Sequence, residues 1–397
     1  VFSGDNPGFD AVIGNPPYLS FSGRQAVELT AVEKTYLTTR YASKGWLTSH
    51  GIFMERAVKL LSRRFIGFIV PDQIGHLEGY AHVRETVLQH AGLAAVQYWG
   101  EQVFRGAVIP ALTVIADKFH KGPTRVCHTD GASGNREFRG NQAWVLKLTR
   151  EFDELLARLV GESHSLGNLV ADPGVHTGNC SKKLVLPRGN GEGKCVPVLE
   201  GKHVSRYACR VPDKELRLDY TPSDGEYFTI RPRERYTAAR FLIRQTASYP
   251  IVGPREHAEY FRNSLLALYD PEDGTDVRYL VGLLNSRLLR HIYQGMVHES
   301  QQKTFPQVKV RSLRKLPIRT IDFSDPADRA RHDKMVSLVQ TMLDLHKHLT
   351  AAKTAHEKTT LQRQIAATDH QIDQLVYDLY GLTEEEIRIV EEGISRP

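Results

Sequence analysis

Residues 9–21 read FDAVIGNPPYLSF: an apolar run that stops on Asn15, then two prolines and an aromatic ring. Residues 10–15 have the pattern of a β-strand ending at the asparagine. Successive prolines fix φ twice and remove two backbone donors, so the segment after the strand is a stiff loop. Downstream, residues 46–63 read as a helix in which Phe53, Ala57, Leu60 and Leu61 recur at helical spacing. RFIGFIVP (64–71) is a compact apolar run closed by Pro71, a buried-strand pattern. Residues 80–91 suit a further helix, and AAVQYW (94–99) and IPALTVIADKF (109–119) suit two more strands, close enough to pair antiparallel at a sheet edge. Alternating strand and helix predicts an α/β fold with a largely parallel sheet.

Farther out the pattern changes twice. Turn-forming residues rise over 161–195, which reads as a linker and the start of a second domain reaching to about residue 325. It mixes β-like runs (CVPVLEG, 195–201; YFTI, 227–230) with one helix, VRYLVGLLNSRLLRHIY (277–293). GNGEGK (189–194) lacks the full spacing of a phosphate loop and reads as a surface hairpin. From residue 326 on, Met335, Leu338, Met342, Leu345 and Leu349 form one heptad seam, and Leu361, Ile365, Ile372, Leu375 and Leu379 a second. The polar stretch between them predicts an antiparallel helical hairpin, with an oligomerising coiled coil as the rival. Gly381 can end the second helix, and Thr383 with Glu386 can cap a short last one.

The chain has 397 residues, 41% of them apolar and 25% charged, the composition of an ordinary globular protein. No stretch is long and apolar enough for a membrane helix, and no secretory signal is visible. A cytosolic compartment and no membrane partner are therefore expected. Four cysteines (Cys127, Cys180, Cys195, Cys209) without a CxxC pair point to reduced thiols, with a zinc site as the rival reading. The net charge of +6 is uneven. Residues 171–320 carry 25 Lys and Arg against 16 Asp and Glu, whereas residues 321–397 carry 9 against 14. A basic middle segment is a candidate polyanion-binding surface.

Asn-Pro-Pro-Tyr has a specific chemistry open to it. The exocyclic amine of an aromatic base is a weak nucleophile because its lone pair is delocalised into the ring. Two acceptors aimed at its N–H bonds localise that pair, and the side-chain carbonyl of Asn15 and main-chain carbonyl of Pro16 are such a couple. Stacking on Tyr18 holds the base in line with a methyl donor. In a DNA duplex this amine is reached only by flipping the base out.

FDAVIGNPPY resembles motif IV of γ-class (TaqI-like, type IIG restriction-modification) adenine-N6 DNA methyltransferases, which use S-adenosylmethionine. GIFMERAVKLL (51–61), RRFIGFIVPDQIGH (63–76) and GEQVFRGAVIPALTVIADKF (100–119) resemble motifs V, VI and VIII. The resemblance implies that Asn15, Pro16, Pro17 and Tyr18 are catalytic and that Phe104 contacts the flipped base. It also implies that Phe53 and Pro17 meet the cofactor. The segments GVHTGN (174–179), VPVLEGKHVSRY (196–207) and the stretch 282–318 resemble the TaqI-like C-terminal specificity domain. Within them, Lys303, Lys309, Arg311, Arg314 and Lys315 suggest a basic strand or ribbon on DNA phosphates. Arg244 and Gln245 in RPRERYTAARFLIRQ (231–245) are further candidates for base or backbone contacts.

The implied architecture has three parts. Residues 1–160 are the C-terminal half of a Rossmann-like methyltransferase sheet, 161–325 a mixed α+β target-recognition domain, and 326–397 a helical hairpin. Double-stranded DNA is the implied partner. Asn-Pro-Pro-Tyr also occurs in RNA and protein-glutamine methyltransferases, and a non-catalytic DNA-specificity fragment is a third reading. The glycine-rich donor loop and ribose-binding acid of a Rossmann-like methyltransferase are not found in the fourteen residues before Asn15, nor later. The expectation is a chain lacking its N-terminal cofactor-binding half, which another part of the protein, with or without a nuclease, supplies. Titration calorimetry of S-adenosylmethionine into this chain is therefore expected to show weak binding or none, and tight stoichiometric binding would contradict that expectation.

Overall fold

The computed structural model describes residues 7–21, 26–41, 46–100, 103, 109–128, 133–141, 144, 150–161, 163–190, 193–297 and 306–395. It divides into two compact units, residues 1–150 and 151–397.

In the first unit the described strands are β1 (Phe9–Gly14), β2 (Ser62–Pro71), β3 (Gly92–Gly100), β4 (Ala111–Asp117), β5 (Thr124–Cys127) and β6 (Ser133–Arg136). They form one sheet in the order β1-β2-β4-β3-β5-β6. β1 runs parallel to β2, and β3 parallel to β5. β4 pairs antiparallel with β2 and with β3, and β6 antiparallel with β5. The sheet is thus mixed rather than largely parallel. The β3–β4 pair is antiparallel as its short connection demands, but β4 is inserted mid-sheet instead of forming an edge.

One face of this sheet packs under helices. Ile66, Phe68, Val70, Leu93, Val96, Leu112 and Val114 meet Met54, Ala57, Val58, Val83 and Val87 in a single core. The last five come from the helix Ser49–Arg56, the π-helical turn Ala57–Leu61 that continues it, and the helix Ala81–His90. The buried stripe of the first helix is therefore Met54, Ala57 and Val58, whereas Phe53 is 49% and Leu60 65% exposed. The expected stripe through Phe53 and Leu60 is rotated by one position, because three- and four-residue steps counted from Met54 face the sheet.

The second unit holds two four-stranded sheets. One has the order Tyr260–Phe261, Cys195–Leu199, Lys214–Arg217, Val185–Pro187; the other has the order Val252–Pro254, Phe241–Arg244, Leu265–Leu268, Val170–Ala171. Of the β-like runs read from the sequence, residues 195–199 form a strand, whereas Thr229 alone of residues 227–230 makes a bridge, to His176. The stretch 277–293 is two helices, Val277–Asn285 and Arg287–Met296. Ser286 divides them. Its Oγ donates to the Leu283 carbonyl at 2.6 Å and accepts from the Leu289 N–H, capping the second helix while closing the first.

Pro326–Ala351 and Ala355–Leu379 form the helical hairpin, joined by three residues and capped by Thr354 with Glu357. The seam residues Met335, Met342, Ile372, Leu375 and Leu379 are buried in the core of this unit, so the hairpin spends its apolar face within the chain. Gly381, at φ +55°, follows the second helix, and Thr383 and Glu386 exchange hydrogen bonds at the start of Glu384–Ser395. No described helix is long and apolar enough to cross a membrane. Among the described residues no cluster of His, Cys, Asp and Glu could hold a metal ion, and all four cysteines are free.

Gly295 lies so close to the buried Phe152 ring that a Cβ there would stand 2.0 Å from it. Gly295→Ala is expected to lower the stability of the second unit by about 1–3 kcal/mol, as overpacking does, measured as a lower urea midpoint.

Candidate active site

β1 delivers the Asn15–Tyr18 loop at the end of a strand that pairs through its last residue, Gly14, with Phe68 of β2. A Cβ at Gly14 would lie 2.7 Å from the Phe68 ring, so only glycine permits this approach. Asn15 and Pro17 are exposed, Pro16 is buried and Tyr18 is half-buried.

The loop is clamped to the start of the helix Ser49–Arg56 by a short ladder. The Phe21 N–H donates to the Leu47 carbonyl at 2.9 Å, Ser20 bridges Thr48, and the Ser49 N–H donates to the Leu19 carbonyl at 3.0 Å. Ser49 Oγ then does two things at once. It accepts from the Leu19 N–H at 3.1 Å and donates to the Pro17 carbonyl. With the described residues, neither the Asn15 side chain nor the Pro16 carbonyl makes a hydrogen bond, so the two acceptors at the strand end are left open while their neighbour Pro17 is held.

Under the loop lies a buried aromatic and polar layer. His50 is 4% exposed, with Nε2 2.9 Å from Tyr80 Oη and its ring edge-on to Tyr18 at 5.8 Å between centroids. Burial pushes the His50 pKa down to about 4 against the pull of the Pro17 carbonyl, so the ring is neutral near pH 7. Tyr80 is itself pushed up by burial, with a hydrogen bond from Thr48 opposing. The buried Arg84 fixes the segment carrying Tyr80 by donating to the carbonyls of Ile74 at 2.7 Å and Leu77 at 2.9 Å.

Phe53 sits one helical turn beyond Ser49, on the same side of the helix, and presents an exposed ring. Phe104 lies outside the described residues. Ser49, His50, Thr48 and Tyr80 were not singled out by sequence reasoning. Thr48 before a helical run is a legible N-cap signal, but nothing local marks His50 as buried.

In the second unit the structure joins two of the expected basic segments. The Gln245 carbonyl accepts from the Val308 N–H at 2.7 Å and Thr246 bridges Gln307, so Arg244 and Lys309 lie on adjoining chain segments. Arg290 stacks over Tyr249 with its guanidinium carbon 4.1 Å from the ring centre. The expected strand or ribbon is absent among the described residues of 303–318. Instead Val310–Leu313 is a short helix, because Val308, Ser312, Leu313 and Leu316 are buried at helical rather than alternating spacing. Arg311 belongs to that helix and Lys315 is exposed beyond it. Arg314 donates to the Val170 carbonyl at 3.2 Å, tying the turn to a strand. Lys303 lies outside the described residues.

Comparison with known proteins agrees with both segments. Residues 1–104 match the family model described as Eco57I restriction-modification methylase, and residues 196–318 match the TaqI-like C-terminal specificity domain. A Methanocaldococcus jannaschii protein named as a type II restriction enzyme and methyltransferase is 22% identical, over 78% of this chain and 27% of its own length. The Escherichia coli type II restriction enzyme and methyltransferase RM.Eco57I is 20% identical, over 97% of this chain and 48% of its own. The chain thus spans about half or less of these relatives. The DNA complex of the type IIL restriction-modification enzyme MmeI shares the fold, with TM-score 0.58 and 10% identity over 96% of this chain and 56% of that one.

Ser49→Ala would leave the Leu19 N–H and the Pro17 carbonyl without their shared partner. The expected cost is about 1–3 kcal/mol, the penalty for stranding partly buried polar groups. It should appear as a lower denaturation midpoint for the first unit.

Proposed function

Proceeding from a chain that joins an Eco57I-type restriction-modification methylase segment to a TaqI-like specificity domain, we propose that it is the acceptor-side and recognition part of a site-specific DNA adenine-N6 methyltransferase of a restriction-modification system. The observation that carries this reading is the pair of open acceptors, Asn15 and the Pro16 carbonyl, at the end of β1 beside a held Pro17.

Each residue has a distinct part. The Asn15 and Pro16 oxygens accept from the two N–H bonds of the adenine amine and so localise its lone pair toward the incoming carbon. Tyr18 stacks the extrahelical base, and the stiff di-proline keeps the acceptors from relaxing as charge develops. Phe53 would hold the adenine ring of S-adenosylmethionine, with Pro17 beside it. Bound there, that cofactor supplies an electrophilic methyl group on a sulfonium. Its methionine-binding part belongs, in this reading, to a segment outside these residues. In the second unit, Arg244, Lys309, Arg311 and Lys315 neutralise DNA phosphates or meet base edges; Arg314 acts there through the strand it anchors.

The test is methyl transfer from labelled S-adenosylmethionine to duplex DNA, with the donor-binding segment in the same chain or added. Label in N6-methyladenine is expected; label only in RNA or protein glutamine, or none, overturns the adenine reading. Asn15→Ala should reduce transfer by about 100-fold or more, the size of a lost preorganised partner, while DNA affinity changes little. Equal loss of both would make the loop structural.

A further inference from the structure

His50 is a buried imidazole for which the chemistry above has no use. The hydrogen bonds around it run in one direction. The Gly51 N–H donates to Thr48 Oγ1 at 3.3 Å, which leaves the Thr48 hydroxyl proton to act on the Tyr80 oxygen. Tyr80 Oη in turn lies 2.9 Å from His50 Nε2. With Thr48 acting on the Tyr80 oxygen as a donor, the Tyr80 hydroxyl proton can go to Nε2. A neutral imidazole that accepts at Nε2 carries its proton on Nδ1.

That atom is the anomaly. His50 Nδ1 is buried and has no hydrogen-bond partner in this conformation, although the Pro17 carbonyl acts on the ring. Buried donors are rarely left unsatisfied, so a state in which Nδ1–H is bonded is called for. The Pro17 carbonyl has two lone pairs, and Ser49 Oγ occupies one.

We propose that His50 is a positioning residue for the amine-holding loop: fixed by Tyr80 through Nε2, it donates from Nδ1 to the second lone pair of the Pro17 carbonyl as a base settles against Tyr18. Two donors on one carbonyl set the plane of the Pro17–Tyr18 peptide. That plane determines where the Tyr18 ring stands on one side and the Pro16 oxygen on the other. The edge-on contact of the imidazole with Tyr18, at 73° between ring planes, braces the ring from behind. Trp46 meets Tyr80 edge-on at 5.9 Å between centroids, and a Cβ at Gly79 would lie 2.9 Å from the Trp46 ring. This proposal rests on the loop holding an amine, and its test separates the two.

Long-range ¹⁵N–¹H spectra of histidine-labelled protein report which ring nitrogen carries the proton. Nδ1–H is expected for His50, and a proton on Nε2 overturns the proposal. Two substitutions then divide the ring. His50→Asn keeps a donor near the Nδ1 position, whereas His50→Gln keeps only the reach to Tyr80. With duplex DNA bound, amide exchange at Leu19 is expected to quicken about tenfold in His50→Gln, the size of one ordinary hydrogen bond, and to stay near the wild-type rate in His50→Asn. The methyl-transfer kcat should follow the same pattern with the KM for DNA unchanged. Equal exchange in wild type and His50→Gln overturns the proposal. If the nitrogen and exchange results hold but the wild type methylates no adenine, the functional reading fails and the positioning role stands.

Discussion

A short backbone ladder and one hydroxyl, that of Ser49, tie the Asn15–Phe21 loop to the scaffold. The two prolines have no N–H to give, so at Pro17 only the carbonyl can be held. The holding donor comes from the first turn of the helix Ser49–Arg56. Everything else in the first unit serves to put that turn in place. The helix buries Met54 against the sheet, continues through the π-helical turn into β2, and β2 pairs in register with β1, which returns the chain to Asn15. The loop is thus closed in a ring of contacts, strand to strand to helix to loop. The same geometry leaves Asn15 and the Pro16 oxygen open.

The second unit is built on a different plan. Its short strands and turns are backed by a large helical core that includes the hairpin. Arg206, just after the short strand Val204–Ser205, and Asp369 of the second hairpin helix form a two-pronged pair, and Arg158 grips Glu386 in the same manner. Such bidentate pairs are geometrically specific. The acidic excess of residues 321–397 is partly consumed by these pairings.

Much of this was legible locally. The strand before Asn15, the helices near 49–61 and 81–90, β2 through β4, the hairpin and the Thr383–Glu386 cap all follow from periodicity, di-proline and capping signals, and the structure contains each of them. Three of the misreadings share one cause. The stripe through Phe53, the single helix over 277–293 and the basic ribbon over 303–318 were each judged from spacing within one segment. In each case a partner elsewhere decided: the sheet beneath Met54, the Val252 backbone that brackets the Asn285 amide at 3.0 Å, and the core that takes Val308 and Leu313.

The sequence by itself determined the chemistry on offer: an amide, two stiff carbonyls and an aromatic ring in a row, because proline imposes its geometry wherever it stands. It also determined that apolar seams near the end must pair. Only the tertiary structure decided which of those carbonyls is held and which is open, since the Ser49 hydroxyl arrives from thirty-two residues along the chain. It likewise decided that His50 is buried and neutral, for burial is a property of what packs around a residue, and no neighbour in sequence records it.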